Sequence, residues 1–389
     1  MEFNFDKIAN RRNTDSYKWD VKDNELPMWV ADMDFEVAPK IKEALQKRVD
    51  IGAFGYSMIP EDFFNSIISW WERRHHVSFK REWMIYTSGV VAAISSLVRS
   101  VTKEGDNVIV QPPVYNIFYN SIINNKRKPL ENRLIRKEST FAMDFTDLEE
   151  KMKDPKTTMM ILCNPHNPGG MAWKKEELIH LGQLAKKYHV TIVSDEIHCD
   201  VMEPGYEYVP FLSASTSHKD FSITCVSSGK IFNLAGLQSA CIIVPNDELR
   251  KKVDRAFNND EVAEPNFFSM QANIVAFKEC EDWANEVNEY IANNKKIFYK
   301  FVEKELPHLQ LIKGPATYLV FVDHSFYSSN SSEFCRLLRE KTGLYLSSGN
   351  QYGSGGENYF RINLATSKEN VLDACNRLKT FISSLDAKC

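Results

Sequence analysis

Residues 173–198 read WKKEELIHLGQLAKKYHVTIVSDEIH, and this run sets the fold class. In its first half Leu178, Leu181, Leu184 and Tyr188 recur at three- and four-residue steps with lysines on the other side, the pattern of a helix with one buried stripe. The second half, TIVSDE (191–196), is a short β-branched run that reads as a strand. The same alternation extends from about Met84 to Val244, where helical patterns separate NVIV (107–110), MMILC (159–163), SITCVSS (222–228) and CIIV (241–244). Continuous apolar runs of this length fit strands covered on both faces. The expectation is an α/β fold with a mostly parallel sheet flanked by helices. Ligands of such sheets sit at the carboxyl ends of the strands, which draws attention to Asn167, Asp195, His198 and Lys230, all at or just past the end of a run.

Beyond Asp282 the pattern changes. WANEVNEYIANNKKIFYKFVEKEL (283–306) places Trp283, Val287, Tyr290, Ile291, Phe298, Phe301 and Val302 on one face of a helix of about six turns. YLVFVD, a helix near EFCRLLREK and the strand-like YFRINLA follow, which reads as a smaller α+β lobe hinged by the long helix. The expected division is a large domain at 46–282 and a small domain made of 1–45 and 283–389, with the N-terminal segment joining the latter. No internal repeat or low-complexity tract is visible.

A chain of 389 residues can bury a large core without metals or disulfides. Its net charge of -4 gives no electrostatic argument for nucleic acid or an anionic membrane. Eight cysteines lie scattered with no C-x-x-C spacing, and Cys163, Cys225 and Cys241 fall inside apolar runs, where a free thiol behaves as a small hydrophobe. The first residues are charged from position 2 and lack an apolar signal region, and the apolar runs are too short to span a membrane. A reduced, cytoplasmic, soluble protein is expected.

Several short signatures point in wrong directions. SSGK (227–230) with KTG (341–343) imitates the penicillin-recognising serine enzymes, but this KTG ends a helical pattern where Gly343 serves as a stop. GSGG (353–356) follows no strand and reads as a flexible loop, and His75-His76 has no partners at metal spacing and reads as solvated, so no metal is expected. Four features remain. SSGKIFNLAGL (227–237) sets Lys230 between apolar runs, either as a loop lysine with a wet head or as a base or Schiff-base nucleophile. TSGVVAAISSLV (87–98) places Ser88, Gly89 and Val90 at a helix start, which is either a simple cap or an anion site. CNPHNPGG (163–170) is a turn after a strand, and SDEIH (194–198) leaves a strand carrying two carboxylates and a histidine.

Taken in order, SGV, PPVY, CNPHNPGG, SDEIH, SSGKIFNLAGL and YFRIN resemble the landmarks of the fold-type I pyridoxal-phosphate enzymes, the aspartate aminotransferase superfamily. With LPMWVADMDF (26–35) and FGYS (54–57), the chain resembles the MalY/PatB-type branch of cystathionine β-lyases, or cysteine-S-conjugate β-lyases, over nearly its whole length. The resemblance implies pyridoxal 5′-phosphate as cofactor. Lys230 would hold it covalently and act as the base at the substrate Cα, with Asp195 facing the pyridine nitrogen and Asn167 bonding the ring oxygen. Tyr115 would stack on the ring, and Gly89, Val90, Val91 and Ser227 would bind the phosphate. Tyr56 would reach the phosphate of the other subunit of a homodimer with shared sites. Arg361 would clamp the substrate carboxylate, and Tyr115 and Trp29 would shape the side-chain pocket, a core role being equally open to Trp29. His198 stands where many aminotransferases carry a ring-oxygen tyrosine. Gln238 stands where many relatives have a phosphate-binding arginine, so backbone amides must hold more of the phosphate.

The activity implied is β-elimination of L-cystathionine and related S-conjugates to a thiol, pyruvate and ammonia. An aminotransferase on the same fold is the first alternative, and a regulatory binding protein that keeps the fold is the second. His198 and LPMWVADMDF favour the lyase, and the intact set of Lys230, Asp195 and Arg361 favours catalysis.

Overall fold

A computed structural model describes residues 3–386. Seven strands form the main sheet: β1 (Met84–Thr87), β2 (Asn107–Val110), β3 (Lys128–Glu131), β4 (Thr157–Cys163), β5 (Thr191–Asp195), β6 (Ser222–Val226) and β7 (Ala240–Ile243), in the order β1-β7-β6-β5-β4-β2-β3. All neighbouring pairs are parallel except those of β7, which runs antiparallel to both β1 and β6.

The period of two along these strands sorts the core onto two faces. Val108, Val110, Ile161, Val193, Ile223 and Ile242 pack with Ala93, Ile94 and Leu97 of the helix Val90–Val101. Ile109, Met160, Leu162 and Ile192 pack on the opposite face with Leu178, Leu181 and Leu184 of the helix Lys175–Tyr188. In chain order the helices used below are α1 (Glu61–His75), α2 (Val90–Val101), α3 (Lys175–Tyr188), α4 (Glu281–Glu305), α5 (Ser331–Thr342) and α6 (Lys368–Asp386). The leucine stripe of α3 is therefore the buried face that its spacing predicts. Glu176 and Glu177 in its first turn and Lys186 and Lys187 in its last suit the helix dipole.

A second, antiparallel sheet has the order β8-β9-β11-β10, from β8 (Gln310–Ile312), β9 (Leu319–Asp323), β10 (Ser347–Ser348) and β11 (Tyr359–Asn363). The long helix α4 joins the two packing regions. Trp283, Val287 and Ile291 belong to a core shared with Trp70 and Phe232, whereas Phe298 and Val302 belong to the core under β9 and β11. Gly343, with φ +74°, ends α5 as the sequence predicts. The stretch 353–356 is a packed turn rather than a flexible loop: Gly355 and Gly356 are buried, and a Cβ on Gly353 would lie 2.1 Å from the Tyr119 hydroxyl.

The N-terminal segment reaches the junction of the two sheets. Leu26–Pro27 pairs in parallel with Leu344–Tyr345, and the Asn363 N–H donates to the Met28 carbonyl at 2.9 Å. Residues 29–34 then cross the carboxyl ends of the main strands as a strap. The Asn363 side chain donates to the Val30 and Asp32 carbonyls, both at 2.6 Å. Buried Lys18 donates to Asp34 at 2.8 Å and ties the strap from behind.

Candidate active site

A cavity of about 520 Å³ opens where the strand ends meet α2 and the strap. On one wall stands the start of α2. Gly89 precedes it at φ +114°, a backbone conformation that glycine adopts at little cost, and no side chain caps the first turn. The cavity-lining residues Gly89, Val90 and Val91 thus present unpaired helix-start amides, with Ser227 and Gln238 beside them. Ser227 is set by two bonds: its hydroxyl donates to the Ser239 carbonyl at 2.8 Å and accepts from the Gly229 N–H at 3.1 Å.

Asp195 ends β5 on the cavity floor. It is buried, and its carboxylate accepts one N–H, from Ile197 at 3.3 Å. Burial pushes its pKa up to about 6. Lys230 projects into the same cavity from the loop after β6. It is half-buried, and its Nζ donates to the Ala31 carbonyl of the strap at 2.7 Å. Burial, and then the nearby Arg361, lower its pKa to about 8. The wet-headed loop lysine is therefore not what the chain builds.

Tyr115 lies along one side, edge-on to Phe118 at 5.6 Å, and burial followed by Asp195 pushes its phenol up to about 12. His198 is buried against Tyr318, and neither ring nitrogen has a hydrogen-bond partner. Burial, with Lys230 and Arg361 nearby, holds its pKa well below the ordinary value, so the ring is neutral.

Asn167 comes from the turn after β4. Its Oδ1 accepts from Arg361 Nη1 at 3.0 Å, so its amide hydrogens are left to the cavity. That turn needs its glycines: a Cβ on Gly170 would meet the Ala316 carbonyl at 2.8 Å, and one on Gly314 would meet Gly170 at 2.1 Å. Arg361 stands at the rim on β11, buried, with Nη2 donating to the Trp29 carbonyl at 2.7 Å and Nε unpaired. Trp29 is half-buried at the rim, and its indole stacks on Tyr345. Tyr56 is fully exposed and does not line this cavity.

The strap carbonyls were not visible as site elements in the sequence. Ala31 takes bonds from both Lys230 and the Tyr318 hydroxyl, the latter at 2.9 Å, and only the fold brings these three together. His75 also departs from its expected solvated state. Its ring is buried and lies 3.0 Å from Asp200, which also accepts from Trp70 and pairs with Arg74. His75, Cys199 and Asp200 bring ligand-type atoms within 4.8 Å of one another, but the carboxylate already has its partners, as in a structural polar cluster.

The donor set suits a phosphorylated aldehyde carried on an aromatic nitrogen ring. Asp195 lacks a cation directly opposite, α2 offers bare amides, His198 has idle nitrogens and Lys230 is held in a weakly basic state. A family model described as aminotransferase class I and II matches residues 26–378. A cystathionine β-lyase, PatB, of Bacillus subtilis (strain 168) is 39% identical across 98% of this chain and 100% of its own. Two solved structures superpose closely. Cystalysin of Treponema denticola, which contains a pyridoxal 5′-phosphate cofactor, has a TM-score of 0.94 and 31% identity over 99% of this chain and 100% of its own. A pyridoxal-phosphate-bound putative aminotransferase of Clostridium difficile 630 has a TM-score of 0.95 and 37% identity over 98% of this chain and 100% of its own.

Proposed function

Because the chain belongs to the aminotransferase class I and II family, we propose that it is a pyridoxal-phosphate-dependent carbon–sulfur β-lyase acting on L-cystathionine and related cysteine S-conjugates. The observation that carries this reading is the meeting of Lys230, Asp195 and the α2 start in one cavity with Arg361 at its rim.

Pyridoxal phosphate, when bound, supplies an electron sink for the charge left at the substrate Cα. The remaining work falls to the chain. Lys230 would tether the cofactor through Nζ, and its own amine, when free of that tether, would accept the substrate Cα proton. A pKa near 8 keeps a useful fraction of it neutral at neutral pH. Asp195 would hold a proton on the ring nitrogen, and that positive charge would favour the ionised form of its carboxylate. Asn167 would donate an amide hydrogen to the ring oxygen, with His198 beside it, and Tyr115 would cover the ring. Val90 and Val91 amides, with Gly89 and Ser227, hold the phosphate. Arg361 receives the substrate carboxylate beside Trp29. With the Cα proton on Lys230, the thiolate leaves Cβ, and hydrolysis of the remaining fragment gives pyruvate and ammonia.

The same reading makes the protein a homodimer in which Tyr56 reaches the phosphate of the other subunit. Exposed Ile51, Phe54 and Met58 around it support that arrangement. It also divides the chain into a large domain at 46–282 and a small one at 1–45 and 283–389. Seven buried free cysteines among the described residues support a reducing, cytoplasmic location, and no described helix is long and apolar enough to cross a membrane.

The test is to incubate purified holoprotein with L-cystathionine and follow pyruvate. Formation without any keto acid is expected, and Lys230→Ala should lose nearly all of it. Turnover that requires a keto-acid acceptor would instead make the protein an aminotransferase.

A further inference from the structure

One carbonyl in the roof of the cavity has two donors. Ala31 lines the cavity, and its oxygen accepts from Lys230 Nζ at 2.7 Å and from the Tyr318 hydroxyl at 2.9 Å. A carbonyl oxygen has two lone pairs, so these donors fill it. Tyr318 is fully buried just before β9, with its ring edge-on to His198 at 5.9 Å. The residue before it, Thr317, is held at φ +62°, a conformation that a β-branched side chain rarely takes. The Thr317 N–H donates to the Val201 carbonyl at 2.8 Å, and its hydroxyl accepts from the Leu319 N–H at 3.1 Å. A strained turn, fixed on both sides, thus stands next to the side chain that reaches the roof.

We propose that the Ala31 carbonyl receives the Lys230 amine whenever that amine is not bonded to the cofactor, and that Tyr318 is a positioning residue that keeps this carbonyl aimed into the cavity. This rests on the reading of Lys230 as tether and base. Tethering leaves Nζ with at most one hydrogen, so the carbonyl can lose its lysine donor. The Tyr318 hydroxyl then keeps it paired, where an unpaired carbonyl would be free to turn away.

The hydroxyl also loosens the hold of Ala31 on a protonated lysine. An oxygen that already accepts one hydrogen bond is a poorer acceptor for a second, and the phenol hydrogen brings partial positive charge close to Nζ. The charged groups facing Lys230 are Arg361 from β11, which disfavours its protonated form, and Asp32 of the strap and Asp195 of β5, which favour it. Arg11 and Lys18 pair with Asp32 from behind. Burial keeps His198, Tyr115 and Cys163 neutral. Removing the Tyr318 hydroxyl leaves all of these side chains in place.

The test is competitive acetylation of the full-length, cofactor-free protein with acetic anhydride, read at the peptide that holds Lys230. It gives the titration midpoint of that amine with no cofactor involved. Tyr318→Phe keeps the ring and loses only the donor, and its midpoint is expected about half to one pH unit above the wild type. Placing 4-aminophenylalanine at position 318 restores a donor and should bring the midpoint back toward the wild type. In the holoenzyme, Tyr318→Phe should lower kcat for L-cystathionine about three- to tenfold and leave KM alone, because the hydroxyl acts on the base and not on the substrate. An unmoved midpoint in folded Tyr318→Phe, a shift that 4-aminophenylalanine does not reverse, or a loss carried by KM alone overturns the proposal. If the wild-type holoenzyme releases no pyruvate, the lyase reading fails instead, and the acetylation midpoints alone decide whether Tyr318 acts on Lys230.

Discussion

Lys230 and Asp195 show how much a single residue's surroundings decide. Burial lowers the lysine to about 8 and raises the carboxyl to about 6. The neutral amine is the form that attacks an aldehyde, so capture of pyridoxal phosphate by the cofactor-free protein should accelerate from pH 7 to 9 with a midpoint near 8; rapid-mixing absorbance measures this. A midpoint near the ordinary lysine value of 10.5 would show the ammonium to be unperturbed. For Asp195 the folded state binds the proton more tightly than the unfolded chain. Stability of the cofactor-free protein should therefore decline as pH rises from 3.8 to about 6 through this group. Asp195→Asn should flatten that part of the melting-temperature profile, and by removing the charge proposed to face the ring it should lower kcat/KM by about 10²–10³-fold. Both residues were legible as candidates in the sequence because they sit at or just past the ends of strand-like runs. The Arg361–Asn167 bond was not, since 194 positions separate its partners and no local pattern records it. His75 was misread for the same reason: its partner Asp200 lies 125 positions away.

At the scale of elements, α3 was legible to within a residue or two because its buried stripe and its charged ends agree. Two features of the main sheet were not. β3, with the sequence KPLE, sits at the sheet edge and is only partly buried, so it lacks an apolar run. The reversal of β7 leaves no trace either, because a strand covered on both faces has the same composition in either direction. Gly182 in α3 is a further case. A Cβ there would lie 2.0 Å from His218 Nε2, and that ring is fixed by a 2.7 Å bond to the Phe211 carbonyl. Gly182→Ala gains helix propensity and yet should destabilise the protein by about 1–3 kcal/mol, because overpacking outweighs it. Chemical denaturation of the purified variant measures the difference, and an unchanged or raised midpoint would show that His218 moves aside freely.

The whole molecule carries two expectations. The apolar side chains of Ile51, Phe54 and Met58, with Tyr56 among them, form an exposed group of the kind that a second subunit covers in the proposed homodimer. Sedimentation equilibrium should give twice the chain mass of 44.8 kDa, and a single-chain mass at assay concentration would leave Tyr56 without a phosphate to reach. The second concerns α4, whose 25 residues contribute to both main cores. One helix shared in this way couples the two regions, so calorimetry of the cofactor-free protein should show one melting transition instead of two. The strap adds a consequence for biosynthesis. Its residues 29–34 are made some 330 positions before Arg361 and Asn363, which bond its carbonyls. Lys18 and then Lys230 can hold parts of the roof earlier, but the carbonyls of Trp29, Val30 and Asp32 find their side-chain partners only once β11 has been made, so the pocket is closed late in synthesis.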